Sequence, residues 1–457
     1  MKKTLLFLGV MMMLIVGSVA PVSADSGNKS IGINVLLNIE ISDAVLAELG
    51  GFGKVNDLMP AINAVTMKVK TKDLEAIQAL SFVAAANPDA ERKGAPIDTV
   101  AVEDFVNGLS TWDQDAINVT DAGFANRVVS EDGSGVYVAV LDTGLVDSWR
   151  QYFPEERIAE EYAKSFGGGG GENAAVSEQP NKWEHDQNSH GTHVTSSILG
   201  YSLSGTPING AAPMATVIPV KVLNQNGSGW SSVIARGIEY IGELKEGPLA
   251  DYPVVINMSL GGSALDAVEQ AAIDYAISKG VIIVASAGNE GEAGMGYPGA
   301  YEPVISVAAS GWTGEWLSGS WWTSDVPDPA TADDFYIVDF SSRELFGQDL
   351  DVAAPGSWIV GPYQVNSGQT SFYYLGGTSM ASPHVAGLVA LMLQKNPALD
   401  NVQAETLLED TALALPAGCR YVVDPNLGAY VEVCWGDDAS GSGMVDAISV
   451  LSAVPTP

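Results

Sequence analysis

Three glycine-flanked segments carry side chains suited to acyl transfer. Val138-Ala139-Val140-Leu141-Asp142-Thr143-Gly144 ends an apolar run on a carboxylate. Ser189-His190-Gly191-Thr192-His193-Val194 sets an imidazole at the entry to a predicted helix. Gly377-Thr378-Ser379-Met380-Ala381-Ser382-Pro383-His384-Val385-Ala386-Gly387 sets a hydroxyl at another helix entry. A serine hydroxyl is a weak nucleophile until a neighbouring base takes its proton. Imidazole is the usual base, and a carboxylate can orient it. Each segment alone has a plainer reading: an Asp after a strand caps a turn, a Ser before a helix caps the helix, a His in a tight turn is merely packed. Their order along the chain and their flanking residues favour chemistry. The chain has four histidines, His185, His190, His193 and His384, and spacing alone does not choose the base among them.

These groups need elements to hold them. Val136–Leu141, Val217–Val222, Val254–Met258 and Val281–Ala285 are short apolar runs suited to buried parallel strands. Ser231–Leu244 and Ala264–Lys279 read as helices between them. Alternating strands and helices imply an α/β fold with a doubly wound, mostly parallel sheet. Ligand sites in such folds lie beyond the carboxyl ends of the strands. Asp142 directly follows one such end and Asn289 lies just past another. Ahead of this block, residues 30–90 read as a small α+β unit. It has strands at 31–39, 61–69 and 82–86, and helices at 42–49 and 71–80, in the order β-α-β-α-β. The five glycines Gly167–Gly171 suggest a surface loop, and the Trp- and Asp-rich stretch 311–337 an insertion between core elements.

The three segments resemble the active-site signatures of the subtilisin-like serine proteases, including the chain order Asp…His…Ser. The resemblance covers most of residues 110–450, and the serine segment is its most specific part. It implies that Ser379 is the nucleophile, His190 its base and later the acid for the leaving amine, and Asp142 the group that orients the imidazole. His193 and His384 then become packing residues and His185 a loop residue. Ala285-Ser286-Ala287-Gly288-Asn289-Glu290-Gly291 is similar to the family's oxyanion segment, with Asn289 donating its side-chain amide beside the backbone N–H of Ser379. Ser228, Gly229 and Trp230 on one side, and Ser259, Leu260 and Gly261 on the other, resemble the strand edges that grip the substrate backbone. Gly288 and Gly296 are expected to border a pocket for a large apolar side chain before the cut, with Glu290 at its rim.

The same resemblance implies a precursor. Residues 1–24, with Lys2, Lys3, an apolar run and Val22-Ser23-Ala24, read as a signal peptide. Residues 25–95 are expected to be a pro-segment acting as an intramolecular inhibitor, 96–110 a linker and processing region, and 111–457 the peptidase domain. The expected product is a secreted monomer acting on proteins and peptides, without stable membrane association. No cofactor is expected for catalysis. Structural calcium is left open: Val146–Phe153 and Tyr201–Gly210 depart from the family's calcium pattern, Tyr297–Val304 resembles a weaker cation segment, and Asp325, Asp328, Asp333 and Asp334 could bind calcium, although a solvated acidic loop is the favoured reading of them. Cys419 and Cys434, the only cysteines, sit in a stretch that reads as irregular and are expected to form one disulfide.

Composition narrows the alternatives. The net charge of −34 lies almost wholly beyond residue 100 and argues against nucleic acid as a partner. The hydrophobic content of 46% against 17% charged favours a compact body. Three rival functions remain: a binding module that lost catalysis, a peptide ligase using the same acyl intermediate, and a structural surface protein. The first is disfavoured by the intact Asp142, His190, Ser379 and Asn289, and the last by the absence of repeats.

Overall fold

The computed structural model describes residues 28–101, 110–123, 126–203, 205–364 and 371–457. The expected signal peptide and most of the expected linker lie outside these residues.

The N-terminal unit runs β1 (Ser30–Leu37), α1 (Asp43–Gly50), β2 (Gly53–Met59), β3 (Ala64–Lys70), α2 (Leu74–Gln78) and β4 (Val83–Pro88), as an antiparallel sheet of order β2-β3-β1-β4. Period-2 alternation turns Ile33 and Val35 of β1 and Val65, Met67 and Val69 of β3 to one face, where they bury against Val45, Leu49 and Ile77 of the helices. Ser42 caps α1, accepting from the Val45 N–H at 3.4 Å. The order is therefore β-α-β-β-α-β, not the expected β-α-β-α-β. The missed strand is β2, an edge strand with Lys54, Asn56 and Asp57; its half-exposed face carries too little apolar alternation to be seen.

Two short strands follow, β5 (Glu91–Lys93) and β6 (Asp98–Ala101), both inside or beside the expected linker and neither anticipated.

The body is an eight-stranded sheet. Its strands include β7 (Tyr137–Asp142), β8 (Thr216–Lys221), β10 (Val254–Met258), β11 (Val281–Ser286), β12 (Ile305–Trp312), β13 (Phe335–Ile337) and β14 (Val352–Pro355); β9 (Ser228–Trp230) lies off the sheet. The order from a short strand at Lys164–Ser165 is β8-β7-β10-β11-β12-β13, with β14 on β12. All these pairings are parallel except β12–β13. Alternation along β7 divides the core. Val138 and Val140 face α3 (His190–Leu199), and Ala139 and Leu141 face α4 (Ser231–Glu246) and α5 (Ala267–Ser278). A strand buried on both faces needs such a continuous apolar run.

The last part of the chain adds β15 (Ile359–Pro362), β16 (Phe372–Gly376), α6 (Thr378–Lys395), β17 (Gly418–Asp424) and β18 (Ala429–Trp435). Long, buried α6 packs on the same face as α3. The cysteine region is a regular hairpin: Cys419 sits directly across from Cys434 in the β17–β18 register, and the two are bonded, Cα to Cα 4.0 Å. Pro416, Gly418, Pro425 and Gly428 fall at its ends and turn, which is why the stretch read as irregular.

The five-glycine run is not a surface loop. Gly167, Gly169 and Gly170 are buried in a tight turn with positive φ. A Cβ on Gly170 would stand 2.4 Å from the Leu223 backbone, so glycine is required for close approach as well as for conformation. The 311–337 stretch is part of the core: Trp312, Trp321 and Trp322 are buried with Trp112.

Candidate active site

Asp142 ends β7, where the strand order switches direction between β8 and β10. His190 opens α3. Its Nδ1 lies 2.8 Å and 3.0 Å from the two carboxylate oxygens of Asp142, and both side chains are fully buried. That bond commits Nδ1 and leaves Nε2, which has no hydrogen-bond partner among the described residues. Ser379 lies in the first turn of α6, with its Oγ donating to the Ser259 carbonyl at 3.2 Å. The hydroxyl is parked on that carbonyl and can turn from it toward a base.

A second ring of groups holds these three. Thr143 N–H donates to Asp142 Oδ1 at 2.6 Å, and Thr143 Oγ1 accepts from Gly191 N–H at 2.9 Å, tying the strand end to the helix start. Thr143 Oγ1 also donates to Asp186 at 2.8 Å. The Lys221 ammonium donates to the carbonyls of Thr143 and Leu223 at 2.5 Å and 2.9 Å. Burial pushes Asp186 up to about 6, opposed by the Lys221 charge, while burial pulls the Lys221 ammonium below its ordinary value. Sequence reading missed Thr143, Asp186 and Lys221. The one available signal was a lysine ending the apolar run of β8.

Asn289 follows β11. Its Oδ1 accepts from the Thr378 N–H and Oγ1, both at 2.9 Å, so its amide Nδ2 is the end left for another acceptor. Thr378 thus sets the amide orientation, a role the sequence did not suggest. Ser259, buried at the end of β10, donates to the Ser379 carbonyl at 2.8 Å and lies 2.9 Å from Ser382 Oγ. The other histidines are committed elsewhere. His193 Nε2 lies 3.1 Å from the Ile359 carbonyl, and burial holds its ring down to about 3. His384 uses both nitrogens, on the Met380 carbonyl at 2.8 Å and Asp113 at 2.9 Å. His185 is exposed.

The chain's own residues lie across this site. β5 pairs antiparallel with β9, Lys93 opposite Ser228 and Glu91 opposite Trp230. On its other side Lys93 exchanges two bonds with Gly261, at 2.9 Å and 2.8 Å. Gly94 N–H donates to the Gly227 carbonyl at 2.8 Å. A Cβ on Gly94 would meet the Ser259 carbonyl at 2.6 Å, Leu223 at 2.8 Å and His190 at 3.3 Å, so only glycine fits there without shifting the walls. Beyond the site, Ile97 N–H donates to the Gly376 carbonyl at 2.7 Å. Residues 95 and 96 lie between these two sets of bonds, and Ala95 and Ser379 line one cleft. Ala95 faces a cleft of about 790 Å³ whose lining includes Ser286, Gly288, Met295, Gly296 and Tyr297. Glu290 is exposed beside it, with one carboxylate oxygen accepting from the Asn289 N–H at 2.7 Å. Leu260, next to Gly261, is buried in the body core.

Polar contacts fasten the N-terminal unit to α4 and α5. Asp89 accepts from the Ser232 N–H at 3.0 Å and from its hydroxyl at 2.8 Å, at the start of α4. Asp266, the cap of α5, accepts from Asn34 at 2.7 Å and Asn87 at 2.8 Å. Arg92 and Glu269 form a fully buried ion pair.

In the segments considered for calcium, several groups have partners within the chain. Gly200–Leu203 zips to Thr206–Asn209 as a β-hairpin, and the Pro303 carbonyl accepts from Asn401 at 2.8 Å. Asp333 pairs with Arg420 at 2.7 Å, Asp334 closes a capping box with Thr331, and Asp325 accepts from the Gly123 N–H at 2.8 Å. No described helix is long and apolar enough to cross a membrane.

Comparison with known proteins gives the same family. The subtilase family model matches residues 133–446. The thermostable alkaline protease of Halalkalibacterium halodurans is 33% identical over 63% of this chain and 65% of its own length. Subtilisin Savinase of Lederbergia lenta is 35% identical over 62% of this chain and 85% of its own. Fervidolysin from Fervidobacterium pennivorans, described as a keratinolytic enzyme related to subtilisin, superposes with a TM-score of 0.65 at 25% identity, over 95% of this chain and 62% of its own. The chain thus spans less than two thirds of the length of some relatives. With a family model covering most of its length and that family's fold around the site, the chain belongs to the subtilases, the subtilisin-like serine endopeptidases.

Proposed function

We propose that this chain is a secreted serine endopeptidase made as a self-processing precursor. The observation that carries the reading is the buried Asp142–His190 pair, whose Nε2 has no partner among the described residues, in a site where Lys93 and Gly94 are bonded to the backbone of Gly261 and Gly227. In the proposed reaction Ser379 Oγ adds to the substrate carbonyl as its proton passes to His190 Nε2. The resulting oxyanion accepts from Asn289 Nδ2 and the Ser379 N–H. The C–N bond breaks as His190 returns the proton to the leaving nitrogen, and water then hydrolyses the acyl-enzyme by the reverse roles. The hydroxyl starts on the Ser259 carbonyl, and such bonds often tighten only once substrate is in place. No metal is assigned a step.

The cleft beside Gly288 and Gly296 supports a preference for large apolar side chains before the cut. Filling it is worth about 1.5–3 kcal/mol, a preference and not a strict specificity. Residues 25–95 act as the inhibitor, and the bond assigned to self-cleavage is Ala95–Pro96, between the Gly94–Gly227 and Ile97–Gly376 bonds. Its leaving nitrogen carries a ring carbon in place of hydrogen, which crowds the side from which His190 must deliver a proton. Self-cleavage there is accordingly slow.

The test is the Ser379→Ala precursor beside the parent. The parent should take a fluorophosphonate label, cleave casein and yield a product beginning at Pro96. The variant should do none of these. Cleavage of casein by the variant at the parent rate would remove Ser379 as nucleophile. Processing of the variant would assign maturation to another protease.

A further inference from the structure

The strand over the site does not stop at the nucleophile. Past Ile97, β6 continues antiparallel along β16, with Asp98 opposite Gly376, Thr99 opposite Leu375, Val100 opposite Tyr374 and Ala101 opposite Tyr373. The other edge of β16 is taken by β15. One edge of β16 is thus committed to the body and the other offers its backbone to whatever runs past Ser379. A Cβ on Gly376 would lie 2.8 Å from the Asp98 carboxylate, so this glycine leaves room for the side chain opposite it.

The 311–337 insertion backs that strand. Trp321 stacks on Tyr374 with ring centroids 5.5 Å apart, Trp316 lies 4.8 Å from the same ring, and Trp358 crosses Trp316 at 5.4 Å. Phe372, at the far end of β16, packs on Tyr152 and Tyr201 at 5.8 Å and 5.7 Å. A strand wedged by aromatic rings on its inner face holds its edge straight and ready to pair. By contrast, β6 itself is loosely held. Thr99 is exposed, Asp98 and Val100 are half-buried, and Val100 packs on the core. Burial, with the like charges of Asp339 and Asp424, lifts the Asp98 carboxyl above its usual range.

We propose that β16 is a substrate-binding edge for the leaving side of the cut, on which an extended polypeptide adds a strand through the sixth residue after the scissile bond once β6 has been displaced. The substrate class is unfolded or extended protein chain long enough to reach from β9 to β16, in preference to short peptides. Main-chain pairing supplies the affinity, as in other strand additions, and the inference rests on the peptidase reading above.

The experiment uses the matured enzyme and quenched peptides with one fixed sequence before the cut and two, four or six residues after it. We expect kcat/KM to rise at least about tenfold from two to six residues, from several added backbone bonds. N-methylation at the third to sixth residues after the cut should alternate between costly and harmless, because only every second N–H of an added strand faces its partner. A flat response beyond the second residue, or an N-methyl series without alternation, overturns the proposal. Failure of the peptidase reading would look different, with no peptide cut at any length.

Discussion

Two buried Asp–His pairs lie in this body and resemble each other closely. Asp142 and His190 approach to 2.8 Å, Asp113 and His384 to 2.9 Å, and all four side chains are buried. The difference is in the second ring nitrogen. That of His384 lies against the Met380 carbonyl, one turn back along α6. That of His190 has no partner among the described residues. A histidine with both nitrogens committed is a strut between elements. With one nitrogen held by a carboxylate and the other free, it is a base with a fixed direction.

The strongest way to break this comparison is to remove the orienting carboxylate from each pair. Asp142→Asn should lower kcat by roughly 10⁴ with little change in melting temperature, since the shape is kept and the imidazole is held in the wrong tautomer. Asp113→Asn should leave kcat per folded molecule unchanged and lower stability by about 1–3 kcal/mol, because a buried ring nitrogen loses its partner. Steady-state kinetics with active-site titration, beside thermal melts, separates the two. Equal effects on rate would show that the pairs are not functionally distinct.

Asn289→Ala should cost roughly 10²–10³ in kcat, the size seen for such a donor in a subtilisin. Thr378→Val, which frees the Asn289 carbonyl oxygen from its hydroxyl but keeps the backbone bond, should cost about tenfold with KM little changed. A Thr378→Val enzyme as slow as Asn289→Ala would mean that Thr378 acts on the reacting atoms directly.

A third buried acid tests whether burial alone makes a group functional. Glu315 accepts from Trp312 N–H, Tyr336 OH and Ser357 Oγ at 2.8–2.9 Å, and burial pushes its carboxyl up to about 8. Its folded value exceeds the ordinary one, so its favourable contribution is complete at acid pH and is lost as pH rises through about 8. Glu315→Gln stays neutral and should melt about 2–4 °C above the parent at pH 9, with no gain at pH 4 and kcat unaltered. Melts across this pH range decide it; parallel curves would mean that Glu315 is already ionised at neutral pH.

The effect expected to leave the site least disturbed is at the surface hairpin. Replacing both Cys419 and Cys434 by Ser should cost at most about 3 kcal/mol in the chain-entropy model and leave kcat alone. An unchanged melt would mean that the β17–β18 pairing suffices without the bond.

Much of this was legible in the residues themselves. Val254–Met258 was expected as a strand and is one, because a strand buried on both faces has to be a continuous apolar run. Ser231 was expected to open a helix and does. The glycine-flanked Asp142, His190 and Ser379 stood out because their surroundings are a local signature, and local signatures survive in sequence. What was not legible depends on neighbours far along the chain. β6 is a strand only because β16 lies beside it, and its four residues carry no pattern of their own. The glycine run read as a loop because composition cannot report that Val233 and Leu223 close on it. Lys221, Asp186 and Thr378 looked ordinary until folding brought them to the strand ends. Residue type, period and motif thus pointed to the family, the strand ends and the three candidate reactive groups. Which nitrogen of His190 lacks a partner among the described residues, which end of the Asn289 amide is held by Thr378 and where residues 91–97 pair with the body were decided by tertiary packing, because each depends on a partner that only the fold supplies.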